Sequence, residues 1–540
     1  MDLEYLQQNE WQNFFSESLP TTPWLTVYKS RREGNDDITI FSALIPVDSI
    51  PKSLETESWD ISIGDGGPGF VTYYNEGKER TEYKNNLNDY LVEPIILFRE
   101  FHGIKEGYIE IQEEFRLFHN LYADPKRNYL VKIHDDGNEE DAVIIELKKV
   151  QIKTKFLKQY MAAKQMGLAI YFDGFRYSTE EYSKEEYSKF SCKKKEKDIA
   201  YFVHIGPWDS IFGDENKSIS RLLGKKIIFP SSIEKCGIWP FKEKKSKFED
   251  FIIGTDEDGR HIFYTSDPDK LANYFGANPE APHYLTPVFF KKEVLAKYYN
   301  NPNKFSVEDG YLRCGGLWGL HIDNDHPDVV MVFLGDLGRD LFYAEQLYWK
   351  SYNIPPEGKM SLTCFKRSFL AQFADPNSAD LTFKSQFEQF SKNWLDKFGW
   401  PLFLPLNEND AHLYISLRIP ITNDNAEFDS QILAIAKILV DSLNEKELGK
   451  LMKEDASGLR GIVKFERFLS ESSMPEYIKY IEFLKDLYAL RSSGVGHRKG
   501  KRYEKIADRF ELDKKPLKEV FKKILQKAEE FLKELQNYFM

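Results

Sequence analysis

From about residue 425 onward, apolar residues recur every three to four positions, a pattern that predicts helices. FDSQILAIAKILVDSL (428–443) puts Ile432, Ile435, Leu439 and Leu443 on one face. GLRGIVKFERFLSE (458–471) predicts a second, shorter helix. PEYIKYIEFLKDLYALR (475–491) predicts a third, with Pro475 suited to a helix start and Tyr477, Ile481, Leu484 and Tyr488 as its stripe. PLKEVFKKILQKAEEFLKELQNYF (516–539) predicts a fourth, its apolar period sustained over about six turns from Leu517 to Tyr538. Four apolar-faced helices with modest connections predict an all-α four-helix bundle over 425–540.

Upstream, strand-like and helix-like patterns alternate, as in α+β regions. In residues 1–180, ITIFSALIPV (38–47), YIEIQEEF (108–115), DAVIIELKKV (141–150) and LAIYF (168–172) predict strands, and VQIKTKFLKQYMAAKQM (150–166) predicts a helix. The polar stretch 178–198, with its short duplication EEYSKEEYSKF, predicts a surface excursion or linker. A second α+β region is expected over 199–420. Its strands are AYFVHI (200–205), KKIIF (225–229), FIIGT (251–255), VVMVFLG (329–335) and HLYISLRI (412–419). LTFKSQFEQFSKNWLDKFG (381–399) predicts a helix ending at Gly399.

Composition agrees with a globular chain, 41% hydrophobic and 30% charged. The longest apolar run, ILAIAKILV (432–440), is about half a membrane span, so no membrane partner is expected. MDLEYLQQNE is no secretory signal, and a cytoplasmic location is the expectation. Cys192, Cys236, Cys314 and Cys364 form no CxxC pair, which argues against a zinc ribbon or dithiol site. Residues 441–540 hold 22 Lys and Arg against 18 Asp and Glu, a net of +4, leaving −16 on the other 440. An acidic bulk with a mildly basic end is compatible with a nucleic-acid contact at that end.

The basic residues concentrate in RSSGVGHRKGKRYEKI (491–506). Arg491, Arg498, Lys499, Lys501 and Arg502 surround His497, with no acid among them, and Gly494, Gly496 and Gly500 release the backbone from helical geometry. Six residues along an unbroken helix would leave Arg491 and His497 some 120° apart. A chain bent at the glycines could bring them together. RNA carries its own nucleophile, the 2′-hydroxyl beside each phosphate. Its cleavage needs proton exchange near neutrality, which histidine supplies, and positive charge on the phosphorane, which arginine's bidentate fork supplies. This scheme requires no metal or other cofactor.

A helical bundle with Arg, a polar residue and His at the end of an inner helix resembles the HEPN superfamily, whose pattern is R-x(4–6)-H. Here five residues, Ser492 to Gly496, intervene. The family usually has Asn, Asp or His directly after the Arg, where this chain has Ser492 in the supporting polar place. The resemblance spans about 425–540 and implies a metal-independent endoribonuclease with Arg491 and His497 as catalytic residues. It also implies a homodimer or higher homo-oligomer with two motifs across one interface. Family members often act as toxins or in antiphage defence. Arg498, Lys499, Lys501 and Arg502 would hold the RNA backbone, and residues 1–420 would sense a phage or nucleotide trigger.

Two features compete. His321, Asp323, Asp325, His326 and Asp328 crowd into HIDNDHPD, the residue types of a divalent-metal site and hence of a metal-dependent phosphohydrolase or nuclease. The same string suits a turn between two strands. Lys148, Lys149, Lys153, Lys155, Lys158 and Lys164 could track phosphates or form a solvated face. IGDGGPGF (63–70) lacks a nucleotide-binding pattern and predicts a tight loop. A non-catalytic module that dimerises or binds nucleotides is the remaining alternative.

Overall fold

A computed structural model describes residues 11, 19, 22–33, 36–60, 69–84, 92–209, 215–242, 246–356, 360–452, 458–492 and 501–540. The chain divides into two compact units, 1–134 with 138–245, and 135–137 with 246–540. The glycine-rich loop expected at 63–70 falls mostly outside the described residues.

The first unit is built on an eleven-stranded antiparallel sheet. Ten strands run in the spatial order Cys192–Lys195, Ile199–Pro207, Ser218–Ile228, Met166–Ser178, Asp36–Pro46, Trp24–Glu33, Lys149–Lys153, Glu139–Glu146, Tyr129–Ile133 and Leu121–Asp124. The central strand Met166–Ser178 begins with seven consecutive buried residues, so both of its faces are covered there. Gly224 lets the neighbouring strand approach: a Cβ there would lie 2.5 Å from the Ala200 carbonyl oxygen. The helix Thr154–Lys164 buries Phe156, Leu157, Tyr160 and Met161.

The predicted helix over 150–166 therefore starts later than expected. Val150 and Ile152 alternate at the strand period and are buried in Lys149–Lys153, which pairs with Trp24–Glu33. The predicted excursion 178–198 holds the helix Lys184–Phe190, opened by a capping box between Ser183 and Glu186, and the edge strand Cys192–Lys195.

In the second unit, short antiparallel sheets give way to helices. Val329–Phe333 pairs with Pro287–Lys291, and Phe305–Glu308, Tyr311–Cys314 and Trp318–His321 form a three-stranded meander. The core here includes Phe290, Tyr298, Leu334 and Trp349. The N-terminal and central parts are thus rich in antiparallel strands and the C-terminal part is helical.

Each of the four predicted C-terminal helices is present, as Asn425–Ala436, Gly461–Glu471, Tyr477–Leu490 and Leu517–Phe539. Their core is shared with the long helix Ala379–Phe398, which buries Phe383, Phe390 and Trp394 and runs along Leu517–Phe539. Gln386 bonds Gln536 at 3.0 Å, and the Trp394 and Phe539 rings lie 5.4 Å apart. The helical core thus begins upstream of residue 425. HLYISLRI (412–419), expected as a strand, overlaps the helix Ala411–Ser416. Leu413 and Leu417, four apart, are both buried, a helical spacing hidden inside a period-two alternation.

Candidate active site

The helix Tyr477–Leu490 buries Tyr480, Ile481, Phe483, Leu484, Leu487, Ala489 and Leu490. Its other side, with Lys479, Glu482 and Lys485, is exposed, so one face of the helix packs into the C-terminal helical core. Arg491 continues directly from its end with helical backbone angles. Its side chain is 22% exposed, and its guanidinium lies 5.0 Å from the Tyr488 ring centroid and pairs with the Asp441 carboxylate.

Asp441 closes a π-helical turn, Lys437–Asp441, that extends the helix Asn425–Ala436. The Ser442 hydroxyl donates to the Lys437 carbonyl at 2.7 Å, satisfying one carbonyl of the widened turn. An acid at a helix C-terminus opposes the helix dipole, whereas an arginine there complements it. Both residues sit at C-terminal ends, and their pairing offsets the unfavourable charge with the favourable one. The contact fixes the guanidinium in space and leaves part of its donor fork for another anion.

Ser492, expected as the supporting polar residue, donates its hydroxyl to the Ala489 carbonyl at 3.2 Å. Its observed bond is to the helix end, not to Arg491. His497, Arg498 and Lys499, with Gly494, Gly496 and Gly500, lie outside the described residues. Lys501 and Arg502 open the helix Lys501–Arg509, and their side chains lie outside the description. Sequence reasoning missed Asp441. Its one signal was a carboxylate at the C-terminal end of a strongly apolar helix.

The HIDNDHPD residues take turn roles. Asp323 bonds the Met331 backbone in both directions, and its carboxylate accepts from the Ser361 amide at 2.7 Å. Asp325 accepts from the Thr363 hydroxyl at 2.8 Å, the Asn377 amide at 2.7 Å and side chain at 3.1 Å, and the Ser378 amide at 2.7 Å. It thereby anchors the N-terminus of Ala379–Phe398. His326 accepts from the Asp328 amide at 3.2 Å, and exposed His321 stands edge-on to the Tyr311 ring at 4.5 Å. Among the described residues no three His, Cys, Asp or Glu side chains converge as a metal site. A cavity of about 450 Å³ adjoins this turn, walled by Tyr311, His321, Asp323, Phe333, Cys364 and Arg367. Burial pushes the Cys364 thiol up to about 11, so it is no thiolate nucleophile at neutral pH. All four cysteines are free.

Three of the six lysines in the lysine-rich segment are held in ion pairs. Lys153 and Lys155 pair with Glu140, and Lys164 with Glu93 and Glu114 at 2.8 and 2.9 Å. Burial alone would raise the Glu140 carboxyl, but Lys153, Lys155 and His134 outweigh it and hold it at about 2. Paired lysines of this kind are poor phosphate trackers. No helix among the described residues is long and apolar enough to cross a membrane. Comparisons with protein-family models, characterised proteins and solved structures find no match to this chain.

Proposed function

We propose that the C-terminal helical region is a metal-independent endoribonuclease of the HEPN type, serving as the effector of a toxin-like or antiphage response. The observation that carries this reading is the setting of Arg491. It is a partly exposed guanidinium at the C-terminal end of a helix whose apolar face packs into the helical core, held by Asp441 and Tyr488, at the head of the basic segment. Arg491 binds the scissile phosphate and stabilises charge on the phosphorane. His497 takes the 2′-hydroxyl proton or protonates the leaving oxygen, one role in each protomer of a homodimer. Arg498, Lys499, Lys501 and Arg502 hold the flanking backbone. The strand-rich region restrains the effector until a trigger arrives.

The test is cleavage of a mixed RNA pool by the full chain in excess EDTA. Activity that persists in EDTA and disappears in both Arg491→Ala and His497→Ala supports the reading. Activity abolished by EDTA and retained in His497→Ala overturns it. Cell toxicity of the wild type, absent in Arg491→Ala, supports the effector role.

A further inference from the structure

The second unit holds a cavity of about 530 Å³ that the ribonuclease reading does not use. Lys291, Lys292, Lys518 and Lys522 line it. Among the described residues none of these lysines forms an ion pair, although most basic side chains elsewhere in this unit have a carboxylate partner. The Lys292 ammonium donates to two backbone carbonyls, His326 at 2.7 Å and Asn324 at 3.3 Å, so its charge is oriented without a direct ion pair.

Lys292, Lys518 and Lys522 are half-buried, whereas Lys291 and three of the four acids on the same lining, Glu293, Asp328 and Glu519, are exposed to solvent screening. Asp325, the remaining acid, already accepts four hydrogen bonds. Burial lowers the Lys292 ammonium below the usual lysine range, Asp380, Asp325 and Asp328 pull the other way, and Lys518 adds to the lowering. Two ammonium groups that repel each other in a cavity are relieved by an anion between them. The helix Leu517–Phe539 also begins here, with Pro516 at its N-cap and no side-chain cap on its first amides.

We propose that this cavity binds a small polyphosphorylated ligand. Its volume falls in the usual range for small-molecule sites, roughly 300–1,000 Å³. Recognition rests on the phosphates: Pro327, Ile419, Pro420 and Ile421 supply the apolar wall, and no aromatic ring lines it to stack a base. Lys292 is the fixed point, and Lys518 and Lys522, one helical turn apart, clamp from the facing helix.

The test is calorimetric titration of the full chain with tripolyphosphate and, separately, ATP, at low and high salt. Saturable binding that weakens with salt is expected. It should fall at least about tenfold in Lys518→Ala/Lys522→Ala and remain unchanged in Lys479→Ala, whose lysine lies outside the cavity and pairs with Glu530. Absence of saturable binding of both probes to the wild type overturns the proposal, as does undiminished binding to the double variant. RNA binding lost in the double variant, without tripolyphosphate binding to the wild type, assigns the lysines to nucleic acid and also overturns it.

Discussion

Arg491 and Asp441, fifty residues apart in sequence, meet at the C-terminal ends of two helices. The pair brings together the cation proposed to bind phosphate and a carboxylate that holds it. In this role Asp441 is a positioning residue, because it acts through the guanidinium.

Asp441→Ala should therefore impair RNA cleavage without unfolding the helical core. The pair is partly exposed, so its loss should cost under about 1 kcal/mol of stability. A guanidinium released from its proper orientation should cost about 10- to 100-fold in kcat. Arg491→Ala should be worse. The check is cleavage kinetics alongside thermal melts. Loss of stability in proportion to loss of activity would mean that the pair only holds the helices together.

Stability should fall on mild acidification through His119. This residue is buried among Phe115, Phe118 and Phe156, and its Nε2 donates to the Phe156 carbonyl at 2.8 Å. Burial, with a smaller push from Lys132, lowers it to about 4, against the pull of that carbonyl. The folded state thus favours the neutral ring, and the unfolded state takes up the proton first. The stabilisation is complete above about pH 6.5 and is lost as pH falls toward 4, on the order of 3 kcal/mol in all. Denaturant titrations at pH 7.5 and 5 should show the loss, and His119→Gln should flatten it. An identical pH slope in the variant would assign the effect elsewhere.

What the sequence made legible, and what it did not, follows from range. The helical stripes of 428–443 and 516–539 are local patterns, met by Asn425–Ala436 with its π-helical extension to Asp441 and by Leu517–Phe539. HLYISLRI failed because Leu413, Ile415, Leu417 and Ile419 satisfy both the strand period and, in part, the helix period. The roles of Asp325 and Asp441 depend on partners 38 to 53 residues away, which no local pattern encodes. The lysines at 153, 155 and 164 suggested phosphate for the same reason: their partners Glu93, Glu114 and Glu140 come from other elements.

A buried ion pair in the first unit makes a sharper stability prediction. The Lys225 ammonium is fully buried and bonds both Asp60 oxygens at 2.9 Å, while the Tyr171 hydroxyl donates to the same carboxylate at 3.4 Å. Asp60→Ala leaves the ammonium buried and unpaired, at an expected cost of about 3–5 kcal/mol. Lys225→Met/Asp60→Leu removes both charges and should recover most of that loss. Equilibrium denaturation of the three proteins decides it. A double variant less stable than Asp60→Ala would show that packing, not charge, dominates at this site.

Asp325 separates the structural and metal readings of HIDNDHPD. Its carboxylate holds the Asn377 and Ser378 amides at the head of the helix Ala379–Phe398, together with two side-chain donors. Asp325→Ala orphans these groups and should destabilise the chain by about 2–3 kcal/mol. Asp325→Asn keeps one acceptor oxygen and should cost less. Excess EDTA should leave the wild-type melting temperature unchanged, since the carboxylate already has its partners. Cleavage per folded molecule should survive both substitutions. A melting temperature that drops in EDTA for the wild type, but not for Asp325→Ala, would instead place an ion at this turn.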